Sequence, residues 1–179
     1  MIKYAIATVF AVSLSIYGIQ GISNNPNKIL LGNDNPQEQN LKKAPDFELK
    51  TLDGKLLKLS DYKGKIVIVD FWATWCPPCR RGIPDLIEIQ KEFNDELIVI
   101  GISLDQENTI SQLQPFIENY NINYPVVLWN EKVVQDYGNI SAIPTSFIIN
   151  KDGKIVNKIV GLIPKQSFVE QINSILKKS

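Results

Sequence analysis

Cys76 and Cys79 are the two cysteines of this chain, and two prolines stand between them. They follow the apolar run Ile66-Val67-Ile68-Val69 and the aromatic-rich segment Phe71-Trp72-Ala73-Thr74-Trp75. A strand ending in a CxxC that opens a helix is a thiol redox site. The thiolate is the nucleophile, and the positive end of a helix favours it. As a structural staple the pair does little: closing four residues contributes ~2 kcal/mol, against ~3 kcal/mol for a 15-residue loop.

The two sulfurs have different expected places. Proline favours the first helical position, so Pro77 makes Cys76 the N-cap. Cys76 is then the exposed attacking thiolate, and Cys79, one turn in and more buried, resolves the mixed disulfide. Lowering a thiol pKa from ~8.5 to ~7 raises the thiolate fraction from a few per cent to about half at neutral pH. Neither Pro77 nor Pro78 has an N–H, so the nearest backbone donor for the Cys76 sulfur is the N–H of Cys79. Such a thiolate is less stabilised than in a Cys-Gly-Pro-Cys site, which makes the couple more reducing.

The rest of the composition narrows the chemistry. Of 179 residues, 44% are hydrophobic, enough for a core. Lys+Arg and Asp+Glu are 19 each, and a neutral chain without a basic stripe argues against a nucleic-acid partner. Histidine is absent, which removes Cys-His pairs, Ser-His-Asp triads and His-ligated metals. Two cysteines do not complete a zinc site, so no metal and no cofactor are expected.

Residues 4–22 form an uncharged run behind Lys3, close to the ~20 residues that cross a bilayer. They read as a signal anchor; a signal peptide cut after Ser23 is the rival reading. Either places the remainder outside the cytoplasm, on the periplasmic face of the inner membrane. Residues 23–43, rich in Asn with Pro26 and Pro36, read as a flexible linker. The domain is expected over residues 44–179.

Within it, segments around Leu49 and Leu57 flank Asp53-Gly54 as a hairpin. Residues 66–71 are apolar on both faces, as for a central strand. A helix over residues 77–93 contains Pro84, and a second buried strand covers residues 97–103. Ile110, Leu113, Ile117 and Tyr120 recur at helical spacing. Short elements at residues 125–128 and 131–137 precede a hairpin around Lys151-Asp152-Gly153. The last helix carries Phe168, Ile172, Ile175 and Leu176 on one face. Strands alternating with helices give an α/β sandwich.

Val69-Asp70-Phe71-Trp72-Ala73-Thr74-Trp75-Cys76-Pro77-Pro78-Cys79-Arg80 resembles the active-site motif of the thioredoxin superfamily. Ala44-Pro45-Asp46-Phe47, the segment Leu59-Ser60-Asp61-Tyr62-Lys63-Gly64-Lys65, Ile143-Pro144-Thr145 and Gly161 extend the match, within that superfamily, to the membrane-anchored TlpA/ResA-like thiol–disulfide oxidoreductases. The resemblance implies a thioredoxin fold: a central mixed sheet flanked by helices, an N-terminal β-hairpin, and a helix–strand unit inserted at about residues 108–128. It implies that Asp70 moves protons for Cys79, although tethered relatives often carry Asn there. It also implies that a cis Ile143-Pro144 bond turns the Ile143 backbone toward a bound peptide. Trp75 is expected beside the nucleophile, contacting partners, and Trp72 in the core. Arg80 and Arg81 are read as a solvated helix face, and Asp105 is given no role.

The implied activity is reduction of a disulfide-bearing protein substrate, such as apocytochrome c during maturation. A membrane thiol-transfer protein is the implied electron donor, and the chain is expected to be a monomer. Two alternatives stand beside it. A thiol peroxidase of the peroxiredoxin type would carry Pro and Thr where Val69 and Ala73 stand. A Cu(I)-binding module of the related kind would add a histidine ligand.

Overall fold

A computed structural model describes residues 41–178. The predicted anchor and most of the linker lie outside the described residues. Seven strands and four α-helices follow in the order β1 (Glu48–Lys50), β2 (Leu56–Lys58), β3 (Ile66–Trp72), α1 (Pro77–Glu92), β4 (Leu97–Ser103), α2 (Leu113–Tyr120), β5 (Val126–Leu128), α3 (Glu131–Asp136), β6 (Thr145–Ile149), β7 (Ile155–Val160) and α4 (Lys165–Leu176). β1 and β2 form an antiparallel hairpin. The other five make one sheet in the order β5-β4-β3-β6-β7. β3, β4 and β5 run parallel, while β6 is antiparallel to β3 and β7 to β6.

All seven residues of β3 are buried, Asp70 among them, because the apolar residues on either side of it can be covered only from both faces of the sheet. Strand alternation divides them. Ile66, Ile68 and Trp72 pack with Ile83, Leu86 and Ile89 of α1 and with Phe168 and Ile172 of α4. Val67, Val69 and Phe71 pack on the other face with Leu49, Leu57, Val133 and Tyr137. Asp70 shares the parity of Ile68 and Trp72, so it faces α1, the helix that carries Cys79.

The helix expected from Ile110 begins differently. Residues Ile110–Gln112 form a 3-10 turn and α2 starts at Leu113. Pro115 has no N–H to give back to the carbonyl four residues earlier, so an α-helix running through residues 110–115 would lose a bond, whereas proline fits a first turn.

The backbone before the hairpin already pairs with the sheet. Lys43 bridges Lys154, Ala44 N–H donates to the Gly153 carbonyl at 2.9 Å, and Ile155 N–H donates to Lys42 at 2.8 Å. This pairing lies beside the start of β7. The turn it meets has Gly153 at φ 77°, a value that favours glycine. No helix among the described residues is long and apolar enough to cross a membrane.

Candidate active site

Cys76 is the N-cap of α1, with extended backbone (φ −90°, ψ 107°), and Pro77 and Pro78 fill the first two helical positions. Its Sγ accepts the N–H of Cys79 at 3.2 Å. That is the donor the sequence predicts, and it is the third in line because the first two positions have none to give. Cys76 and Cys79 are joined by a disulfide with S–S 2.08 Å.

The expected exposure of Cys76 is corrected. Cys76 is 3% exposed and Cys79 2%, so the two are equally buried. The N-cap geometry turns Sγ over the helix end, where it bonds Cys79. From the other side the Ile143 carbonyl oxygen approaches to 3.7 Å. The Ile143–Pro144 bond is cis. Trp75, adjacent to Cys76, is 55% exposed and offers its ring to solvent, whereas Trp72 is fully buried. Arg80 turns away from the sulfurs: its Nε donates to Tyr120 Oη at 3.3 Å, and its guanidinium lies over the Phe116 ring.

Asp70 is buried beneath this surface and accepts the Ser146 hydroxyl at 2.6 Å. Burial raises its carboxyl from 3.8 to about 7, with the Ser146 hydrogen bond acting in the opposite direction. Asp70, Cys79, Asp85, Pro144 and Ser146 line a cavity of about 20 Å³. One water molecule fits such a space. The structure thus brings five of the six predicted site residues around one point: Cys76, Cys79, Ile143, Pro144 and Asp70 below. Trp75 stands at the rim.

Sequence reasoning missed two groups. Ser146 is the register partner of Asp70 across β3 and β6, a pairing that only the sheet reveals. Asp105 was seen but given no role. It is buried, and its carboxylate accepts Thr74 N–H at 3.0 Å, Thr74 Oγ1 at 2.6 Å and Ser103 Oγ at 2.8 Å. Its carbonyl accepts Trp129 Nε1–H at 3.1 Å. Thr74 lies two residues before Cys76, so Asp105 ties the turn leading into α1 to the end of β4. The Thr74–Asp105 pair, a short donor before the CxxC and a carboxylate just after a strand, was the available signal.

The dependence on Cys79 N–H gives a direct expectation. Pro78→Ala restores an N–H at the second helical position, where N-cap acceptors also find donors. The Cys76 thiol should then titrate about half a unit or more lower, and the couple should become less reducing by about 15 mV or more. Thiolate absorbance against pH measures the first, and equilibration with glutathione the second. An unchanged or higher titration midpoint would count against the donor shortage as its cause.

Residues 41–158 match the AhpC/TSA family model. The chain is 35% identical over 169 residues to the thiol-disulfide oxidoreductase ResA of Bacillus anthracis, covering 94% of this chain and 88% of that protein. A putative thiol:disulfide interchange protein DsbE from Chlorobium tepidum superposes with TM-score 0.69 at 32% identity, over 76% of this chain and 96% of that one. The exposed lipoprotein thioredoxin Etrx1 of Streptococcus pneumoniae superposes with TM-score 0.63 at 32% identity, over 73% and 99% of the two chains. With its CxxC at the head of α1 and its five-stranded mixed sheet, the chain belongs to the AhpC/TSA family, among the ResA-like thiol–disulfide oxidoreductases of thioredoxin fold.

Proposed function

We propose that this chain is an exported reductant of protein disulfides, held at the membrane by residues 4–22 through the linker 23–43, with residues 44–179 as its catalytic domain. The observation that carries the chemistry is the shared cavity of Asp70 and Cys79 behind an N-capping Cys76. In the reduced protein the Cys76 thiolate attacks one sulfur of a partner disulfide. The other partner sulfur leaves as a thiolate and takes up a proton. The Asp70 carboxylate accepts the Cys79 proton through a water, and the Cys79 thiolate attacks Cys76 Sγ. The second partner thiol is released, and the Cys76–Cys79 disulfide forms. Two electrons have passed to the partner. A membrane dithiol donor returns them by the same exchange in reverse.

Ile143 and Pro144 present the backbone carbonyl beside Cys76 to a bound peptide, and Trp75 gives that peptide an aromatic contact. The two prolines favour the reducing direction, because they leave the Cys76 thiolate with few donors. Haem-attachment cysteines of apocytochrome c are the client class that the resemblance of the active-site motif implies.

Cys79→Ser leaves Cys76 able to attack but removes the resolving sulfur. Expressed in the native host, this variant should accumulate mixed disulfides on Cys76 in the membrane fraction. Trapped apocytochromes support the maturation role. A broad set of secreted proteins would replace it with general disulfide repair, and no trapped protein at all would count against Cys76 as the attacking group.

A further inference from the structure

Two buried polar atoms stand without a protein partner among the described residues, the Trp72 indole Nε1 and the Tyr124 hydroxyl. Trp72 is fully buried and Tyr124 is 6% exposed. Buried indole N–H and phenol O–H groups ordinarily find a partner, and those that have none in the protein usually bond ordered water.

The two rings flank one residue. A Cβ on Gly101 would stand 2.8 Å from Trp72 Nε1 and 3.3 Å from Tyr124 Cε2. Gly101 is therefore the only residue type that lets both rings approach β4 undisturbed. Its N–H donates to the Pro125 carbonyl at 2.9 Å, which fixes the segment carrying Tyr124 against the strand. Gly101 is also the register partner of Asp70 on β3. The Asp70 carboxyl, the indole N–H two residues along the same strand face and the Tyr124 ring thus gather on the face of the sheet where Gly101 carries no side chain, close enough for the Asp70 charge to act on the phenol.

We propose that Trp72 and Tyr124 hold a buried water against the Asp70 carboxyl, making Tyr124 a positioning residue for the Asp70 proton step. The inference rests on the proton role assigned to Asp70. Trp72 Nε1 can only donate, while the phenol can donate or accept, so the acceptor that completes the set is the carboxylate. A donor chain ending on Asp70 favours its ionised form and opposes the burial that keeps it protonated. The Tyr124 hydroxyl is itself pushed well above its ordinary range by burial and by the Asp70 charge, so it stays protonated and able to donate.

The other groups facing Asp70 do not fill this role. Ser146 on β6 already donates to it. From α1 come Cys79, the proton's source, and Asp85, which has no proton to offer when ionised. From α4 comes the apolar ring of Phe168. Lys165 at the start of α4 is paired with Glu88 and Glu92 on the surface.

The test is Tyr124→Phe, which removes one oxygen and keeps the ring. In the oxidised protein, carbon NMR of the Asp70 carboxyl reports its titration without any client. The midpoint should rise by about half a unit. In single turnover with a small disulfide substrate, the Cys79 step at pH 7 should slow about twofold and recover at pH 9, where Asp70 is ionised in both proteins. A merely structural effect of the substitution would not recover with pH. A high-resolution crystal structure should show a water bonded to Trp72 Nε1 and Tyr124 Oη. An unchanged Asp70 midpoint in Tyr124→Phe, or a dry site, overturns the proposal. The reading beneath it fails separately: if Asp70→Asn leaves the Cys79 step unaltered, Asp70 is not the base, whatever Tyr124 does to its titration.

Discussion

Replacing Asp70 with Asn should stabilise the oxidised protein at pH 8 by as much as about 4 kcal/mol and slow its turnover roughly a hundredfold. Burial lifts the Asp70 carboxyl from 3.8 to about 7. Between those values the folded protein holds a proton that the unfolded chain has released. Stability contributed by this group is therefore complete below pH 3.8, falls as pH rises toward about 7, and is flat above it. About three units at 1.36 kcal/mol each set the ceiling. Asn keeps a partner for Ser146 without the buried charge, so the gain should be present at pH 8 and absent at pH 4. Because Asn accepts no proton, attack by Cys79 loses its base. Denaturant unfolding at the two pH values and single-turnover kinetics measure the two halves. Equal stability of variant and parent at pH 8 would show that the fold does not raise the Asp70 carboxyl.

Asp105→Ala should destabilise the domain by about 4 kcal/mol and loosen the turn that delivers Cys76. The substitution leaves three buried donors without an acceptor: Thr74 N–H, Thr74 Oγ1 and Ser103 Oγ. Each such loss costs roughly 1–3 kcal/mol, and the three are not additive. Asp105→Asn offers one carbonyl oxygen in place of two carboxylate oxygens and should lie between variant and parent. Chemical denaturation gives the stability, and the Cys76 reaction rate with a small disulfide gives the effect on the turn. If Asp105→Ala unfolds at the parental midpoint, the network does not hold the turn.

Much of this was legible because its physics is local. The apolar run Ile66–Val69 of β3 requires cover on both faces, and the motif around Cys76 marks Asp70 by its resemblance to a buried family carboxylate, while the structure supplies the face, packed on α1, that Asp70 occupies. Prolines at the first two helical positions make Cys76 an N-cap, and the absence of their N–H groups selects Cys79 as the donor. What was not legible depends on pairings between distant segments. The burial of Cys76 needs Ile143, brought 3.7 Å from its sulfur by the loop before β6. Ser146 meets Asp70 only through antiparallel register. Asp105, after a strand end that could face the site, gains a role only once Thr74 and Ser103 converge on it. Tyr124, in a short loop, gains meaning only beside a glycine of another strand.

The pairing of Lys42 and Lys43 beside the start of β7 fixes the polarity of the whole domain. β7 begins opposite Ile149, which neighbours Val67 near the start of β3, and ends opposite Thr145, which neighbours Phe71 near its finish. Five residue steps at about 3.3 Å put roughly 17 Å of sheet between the two ends. Leu41 to Lys43 lie at one end and the disulfide sits past the other. Load applied at Leu41 is borne by the rim of β7, while the sulfurs stand at the unloaded end. A support, label or fusion partner joined directly to Leu41 therefore works as a handle rather than a hood.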